Sequence, residues 1–393
     1  MFAGSASAQL PRSAPRFLPD SAVLALIKQR VDAGRTTGVV IGLLEHDGTR
    51  RIIAYGDPGP GQPPLDGNSV FDIGSITKLF TATLLAQMVL NGEVKLDDPV
   101  QTFLPPSVRV PARNGRPITL AHLSMHTSGL PRGPTNAGPE SGPNPYAEYT
   151  VAQMYEFLSS YALPRDPGAE REYSNLGVGL LGHALSLAAG KPYEQLEQER
   201  ILLPLGLQHT GITITPWMRE HLALGHASGG GIVPNWNSPA LVAAGAMRST
   251  ANDMLEFLWA NIHTDSSPLG QAMAFAQQRH MAPGATVPRA LNWGRYATPT
   301  DTILSHTGGT DGYRTFIGFL QAGRVGVVVL TNSGDPSSDD LGGHLLDPRI
   351  PLRDHAAPMW TPWRGIVVVG AVLVLGAAIL LIRRRRRVRA PVG

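Results

Sequence analysis

Two spacings of apolar residues alternate along the chain. Gly38 to Leu44 and Arg51 to Tyr55 are rich in branched and apolar residues and flank Asp47-Gly48, which predicts a β-hairpin. Strand character returns late, at Thr302 to Thr307, Tyr313 to Leu320 and Val325 to Thr331, with Ala322-Gly323 near a turn. Helical spacing fills the interval. Ser21 to Ala33 stops at Gly34, and a long apolar stretch opens at Ser75, runs to about Leu90 and ends at Gly92. Further helical patterns cover Ile118 to His126, Val151 to Ser160, Leu176 to Ala189, Tyr193 to Leu203 and Thr250 to Ile262. Thr250 and Asp253 are spaced as a capping box. Pro58 to Pro64 and the Gly/Pro-rich Thr127 to Pro145 read as surface loops. Strands at both ends around a helical middle predict an α+β fold: one antiparallel sheet drawn from both chain ends, flanked by helices, with a helical insert.

Composition sharpens this picture. The chain has 393 residues, 42% hydrophobic and only 16% charged, as expected of a folded body with a large core. The net charge of +3 is misleading, because Arg383 to Arg387 and Arg389 all sit at the C-terminus and the remainder is slightly acidic. No basic stripe for nucleic acid is present. The chain has no cysteine, which excludes disulfides, thiolate catalysis and Cys-based metal sites.

Both termini point to a membrane. Residues 365–382 carry no charge and, as a helix, would span roughly 27 Å, enough for a bilayer core. Trp360 and Trp363 precede this stretch and the arginines follow it, so the positive-inside rule places the C-terminus in the cytoplasm and the rest of the protein outside. Ala6-Ser7-Ala8 resembles the small-residue end of a signal peptide whose apolar part would lie upstream of Met1. The expected organisation is a signal remnant at 1–8, a catalytic domain at 9–347, a tether at 348–364, the membrane span at 365–382 and a basic tail at 383–393.

Three short motifs carry chemistry. Ser75 and Lys78 lie at i and i+3, on one helix face, and at a helix start the Ser is surrounded by unpaired backbone N–H groups. A nucleophile, a base and an oxyanion donor can therefore come from one turn. Tyr173-Ser174-Asn175 offers a phenol that can accept and return a proton if cations lower its pKa, and an amide that can donate to and accept from a substrate. His306-Thr307-Gly308-Gly309 ends a strand with two glycines, which let another backbone or a peptide-like substrate come close.

In this order the three motifs resemble those of the penicillin-recognising serine hydrolases, in particular the class C β-lactamase-like branch with its D-alanyl-D-alanine carboxypeptidases and esterases. The stretches at Ile118 to Pro131, Ala243 to Leu258 and His306 to Phe319 also match that branch, and the resemblance covers roughly Ala22 to Ser333. It implies that Ser75 attacks a carbonyl to form an acyl-enzyme, with Lys78 or Tyr173 as the base. It also implies that Tyr173 relays the proton to the leaving group and that Asn175 contacts Lys78 and the substrate amide. The backbone N–H groups of Ser75 and Gly309 would form the oxyanion hole. His306 departs from the lysine of the best-known members. An imidazole near its reference pKa is mostly neutral at pH 7, which weakens the case for an efficient β-lactamase. Arg314 is a candidate for carboxylate recognition instead.

The expected activity is thus a membrane-anchored hydrolase of D-alanyl peptides or related amides. The alternatives are a β-lactamase, a carboxylesterase, or an idle sensor that binds β-lactams or wall peptides. No cofactor or metal is expected. His122 and His126 share a helix face, but no glutamate of an H-E-x-x-H motif lies between them. Gly177 to Gly182 fits GxGxxG yet follows no strand, so it reads as a helix packed tightly on a neighbour.

Overall fold

The computed structural model describes residues 16–137, 144–336 and 340–352. Eight strands are present among the described residues: β1 Gly38–Leu44, β2 Arg50–Gly56, β3 Val70–Asp72, β4 Arg248–Thr250, β5 Gly294–Ala297, β6 Thr302–Gly309, β7 Arg314–Leu320 and β8 Val325–Thr331. Six form an antiparallel sheet in the order β2-β1-β8-β7-β6-β5, and β3 pairs with β4 apart from it. The N-terminal hairpin joins the C-terminal strands where β1 meets β8, with Val40 opposite Leu330. The predicted sheet from both chain ends is therefore observed. Every residue of β1 and β8 is buried, which explains why both read as unbroken apolar runs.

Twelve α-helices accompany the strands among the described residues. They are α1 Asp20–Asp32, α2 Thr77–Leu90, α3 Leu120–Ser124, α4 Val151–Ser160, α5 Asn175–Ala189, α6 Tyr193–Glu197, α7 Leu203–Leu205, α8 Pro216–Glu220, α9 Val242–Gly245, α10 Ala251–Ile262, α11 Pro268–Gln277 and α12 Leu341–Leu346. Alternate residues of β8 explain how they are layered. Val325, Val327 and Val329 pack with Val23 and Ile27 of α1 and Leu341 and Leu345 of α12. Val328 and Leu330 face the larger core, where Leu255 and Leu258 of α10 and most of α2 lie. The fully apolar α2 is thus an interior helix, buried almost throughout.

Several local expectations are corrected. The residues from Tyr193 to Leu203 are not one α-helix, because Gln198–Leu202 widens into a π turn after α6. Thr250 caps α10 by accepting from the Asp253 N–H, but the Asp253 carboxylate accepts from His209 N–H and the Thr210 hydroxyl instead of closing a capping box. The packed chain also continues past Asp347, with Ile350 and Leu352 resting on the outer layer. No described helix is long and apolar enough to cross a membrane. The signal remnant, the span at 365–382 and the basic tail lie outside the described residues.

Glycines in α5 let helices touch. A Cβ on Gly179 would sit 2.4 Å from a Leu241 methyl, and one on Gly182 would sit 2.1 Å from the Ala243 Cβ, so the GxGxxG pattern serves the contact with the α9 segment. Behind this contact the Tyr193 hydroxyl bonds the Thr81 hydroxyl at 2.7 Å. Glu197 lies buried nearby, and burial pushes its carboxyl from 4.5 up to about 8. Folding must therefore keep a proton that the unfolded chain releases. Stability from this site is retained at low pH and falls as pH rises from about 4.5 to about 8. Glu197→Gln is expected to remove that slope. The melting temperature of the variant relative to wild type should rise by a few degrees between pH 5 and 8, and a pH-independent difference would refute this.

Candidate active site

The site forms where the start of α2, the start of α5 and the end of β6 meet. Ser75 lies in a 3-10 turn, Gly74–Ile76, that leads into α2 and is not itself the first α-helical turn. Gly74 has φ +50°, and a Cβ there would sit 2.7 Å from the Gly309 nitrogen. On Gly308 a Cβ would meet the Ile73 carbonyl at 2.1 Å. Glycine at these positions is what allows the strand end to lie on the serine turn. The Thr315 hydroxyl locks the same junction by donating to Ile73 O at 3.0 Å.

Lys78, one turn after Ser75, is completely buried. Its Nζ lies 3.0 Å from Ser75 Oγ and 3.0 Å from Asn175 Oδ1, and it also donates to the Ala244 carbonyl. This set of partners suits a neutral amine. Two acceptor oxygens take its two N–H groups, and the Ser75 hydroxyl can donate into its lone pair. Burial pushes the Lys78 pKa down and the Arg132 charge adds to that, while the charge and hydrogen bonding of Tyr173 oppose it; burial wins.

Tyr173 stands beside this pair. Its ring centre is 4.9 Å from Lys78 Nζ and 5.2 Å from the Arg132 guanidinium, and the ring packs on His126 at 4.4 Å. His126 is held in an unusual left-handed conformation, φ +58°. Its Nδ1 accepts the Ser174 N–H at 3.1 Å, and burial keeps the ring neutral. Ser174 is the cap of α5, since its Oγ accepts from Gly177 N–H at 2.8 Å. Asn175 is therefore free of capping duty and reaches Lys78, and its own N–H donates to Arg132 O at 2.8 Å.

His306 projects from β6 into the same cleft, 6.4 Å from Tyr173 between ring centres. Burial holds it neutral. One face of the ring stays open to the cleft. Thr307 is exposed at the cleft, and Gly308 and Gly309 follow at its edge. Arg314 also lines this cleft, but its Nη1 donates to Thr310 O at 2.6 Å and Tyr313 O at 3.1 Å. His122 is occupied elsewhere: Nδ1 accepts the Thr119 N–H at 3.0 Å, and Nε2 faces Pro283 O at 2.7 Å.

All eight residues singled out in the sequence converge here. Sequence reasoning missed Arg132, Tyr146 and Trp236, which close the cleft beside Ser75 and Asn175. Trp236 is fixed from the other side by the buried Asp72–Arg248 pair: its backbone N–H donates to Asp72 Oδ2 at 2.9 Å, and Arg248 Nε donates to Asp72 Oδ1 at 2.9 Å. Asp72 ends β3, three residues before Ser75, and its partners Trp236 and Arg248 lie 164 and 176 residues further along the chain.

The junction at Gly74 yields a direct test. Gly74→Ala forces a Cβ against the β6 backbone and displaces the strand from Ser75. Acylation of Ser75 by a penicillin is expected to slow by about 100-fold, the cost of a misplacement near 1 Å. An unchanged acylation rate would refute the role given to this contact.

Comparisons with known proteins identify the family and the fold. The Beta-lactamase family model matches residues 23–347. The D-alanyl-D-alanine-carboxypeptidase/endopeptidase AmpH of Escherichia coli (strain K12) is 34% identical over 317 residues, covering 76% of this chain and 80% of the relative. A Beta-lactamase of Pseudomonas fluorescens is 28% identical over 362 residues, covering 82% and 95%. Among solved structures, a Beta-Lactamase/D-Alanine Carboxypeptidase from Pseudomonas syringae superimposes with a TM-score of 0.70 at 24% identity, covering 86% of this chain and 99% of that one, which speaks for the fold. With the serine, lysine and tyrosine motifs gathered in one cleft of this fold, the chain belongs to the beta-lactamase family of serine hydrolases.

Proposed function

We propose that this hydrolase cleaves D-alanyl peptides or related amides through an acyl-enzyme on Ser75. The observation that carries the reading is the buried Lys78 amine in contact with the Ser75 hydroxyl at 3.0 Å. In acylation the Ser75 Oγ–carbonyl bond forms, the Ser75 proton passes to Lys78, and the carbonyl–nitrogen bond breaks as the departing nitrogen takes a proton by way of Tyr173. Water then adds to the ester. It leaves the free acid and returns the proton to Ser75. The Ser75 and Gly309 N–H groups are assigned to the oxyanion, since both residues line one cleft and β6 is seated on the serine turn. Asn175 takes the acyl amide of the substrate as well as Lys78.

The choice of a peptide substrate is supported by the 34% identity to a protein named a D-alanyl-D-alanine-carboxypeptidase/endopeptidase. The neutral His306 supports it too, because the cleft lacks a fixed cation at that strand position. We further propose an extracytoplasmic location with a single membrane anchor. Its support is the uncharged stretch at 365–382 between two tryptophans and a run of arginines. Membrane fractionation of the full chain and of a chain ending at residue 352 tests this, and equal partitioning of the two would refute the anchor.

Two variants test the chemistry. Ser75→Ala is expected to abolish labelling by a penicillin in intact-mass measurements and to abolish release of D-alanine from D-alanyl-D-alanine peptides. Lys78→Ala is expected to slow acylation by about 10²- to 10⁴-fold. A Lys78→Ala enzyme with most of its activity would refute the assignment of the base.

A further inference from the structure

Beyond the Tyr173–His306 pair the cleft opens into a second cavity of about 430 Å³. Arg171, Arg279, Arg289 and Arg295 all line it, and among the described residues no aspartate or glutamate does. The arginines come from separate places: the loop before Tyr173, the chain just past α11, the segment leading to β5, and β5 itself. None has a carboxylate in ion-pair range among the described residues. The acids flanking Arg171, Glu170 and Glu172, are both taken by Arg165. Among the described residues Arg295 donates to neutral oxygens, Gln277 O and Gln321 Oε1, each at 3.1 Å. The charges are close enough to oppose one another: burial first, and then the charge of Arg171 on Arg289 and of Arg279 on Arg295, depresses both guanidinium groups. Uncompensated cations converging on a concave wall make an anion site.

The chemistry of the reaction says which part of a substrate lies there. Tyr173, which serves the departing nitrogen, lines this cavity and the central cleft but not the far arm. Asn175 lines the far arm, with Tyr146 and Trp236. The acyl side therefore occupies the Asn175 arm and the leaving side passes over Tyr173 toward the arginines. A single terminal amino acid brings one carboxylate and fills a small part of this volume. Val287, Trp293 and Tyr296 add apolar wall, which suits a peptide rather than a bare inorganic anion.

Resting on the reading of Ser75 as nucleophile, we infer that the arginine cavity is the leaving-group subsite and that it selects a peptide bearing two or more carboxylates, so that the bond cut lies inside a peptide and not only at its last residue.

The test uses the full chain and three peptides with one acetyl-lysyl-D-alanyl donor. Their leaving groups are D-alaninamide with no carboxylate, D-alanine with one, and D-glutamyl-glutamate with three. Wild type is expected to favour the last over the first by at least about tenfold in kcat/KM, mainly through KM, in line with charge-assisted binding. In Arg279→Gln/Arg289→Gln that ratio should fall by at least about tenfold, and lysine at both positions should restore part of it. A wild-type ratio within about twofold, or a variant that lowers all three substrates equally, overturns the inference. Calorimetric binding of the same peptides to Ser75→Ala should follow the same order without any bond being cut, and absence of that order also overturns it. Turnover that survives Ser75→Ala, or failure of a penicillin to label Ser75, refutes the catalytic reading instead.

Discussion

A lysine amine with no access to water is the constraint around which this protein is arranged. Lys78 lies wholly inside the fold, and its burial is tolerated because three oxygens surround the nitrogen. An ammonium there loses its hydration, so the interior favours the neutral amine, which is the form that can take a proton from Ser75. The apolar α2 holds the stem of this side chain, the start of α5 supplies Asn175, and the α9 segment supplies the Ala244 carbonyl. The glycines of α5 matter for the same reason, since they let α9 come close enough to present that carbonyl.

The sheet contributes position more than chemistry. Two glycines at the end of β6 and one before Ser75 remove the side chains that would separate strand from helix, and Thr315 fixes the junction with a single hydrogen bond. With His306 neutral, fixed positive charge is moved away from the strand and out to Arg132, Arg314 and the arginine-lined cavity. The two arms of the cleft thus differ in kind. One is aromatic and polar around Asn175, and the other is cationic beyond Tyr173.

Much of this was legible in the sequence where a local pattern carried the information. β8 was readable to the residue because it is buried on both faces, and α4 because a threonine caps it and one face is apolar. β3 and β4 have three residues each, too few for any period to show. β5 is an exposed edge strand without apolar alternation, so nothing in Gly294 to Ala297 marked it. The catalytic motifs stood out because Ser75-Lys78 and Tyr173-Asn175 are short and ordered. The parts recruited through space did not. His126 showed only as half of a metal-like pair, whereas its work is to support Tyr173 from a left-handed backbone position. Four arginines spread from residue 171 to residue 295 gave no pattern until the fold brought them to one wall.

The state of the Lys78 amine decides the account, and it can be observed without any substrate. Carbon-13 labelling of lysine, with the Lys78 signal assigned by its loss in Lys78→Gln, allows a direct NMR titration of the Cε resonance. The structure predicts a transition below the usual lysine value of 10.5, with the neutral amine accumulating as pH rises through it. A Lys78 resonance that titrates at or above the ordinary lysine value would contradict the claim that this side chain is the base.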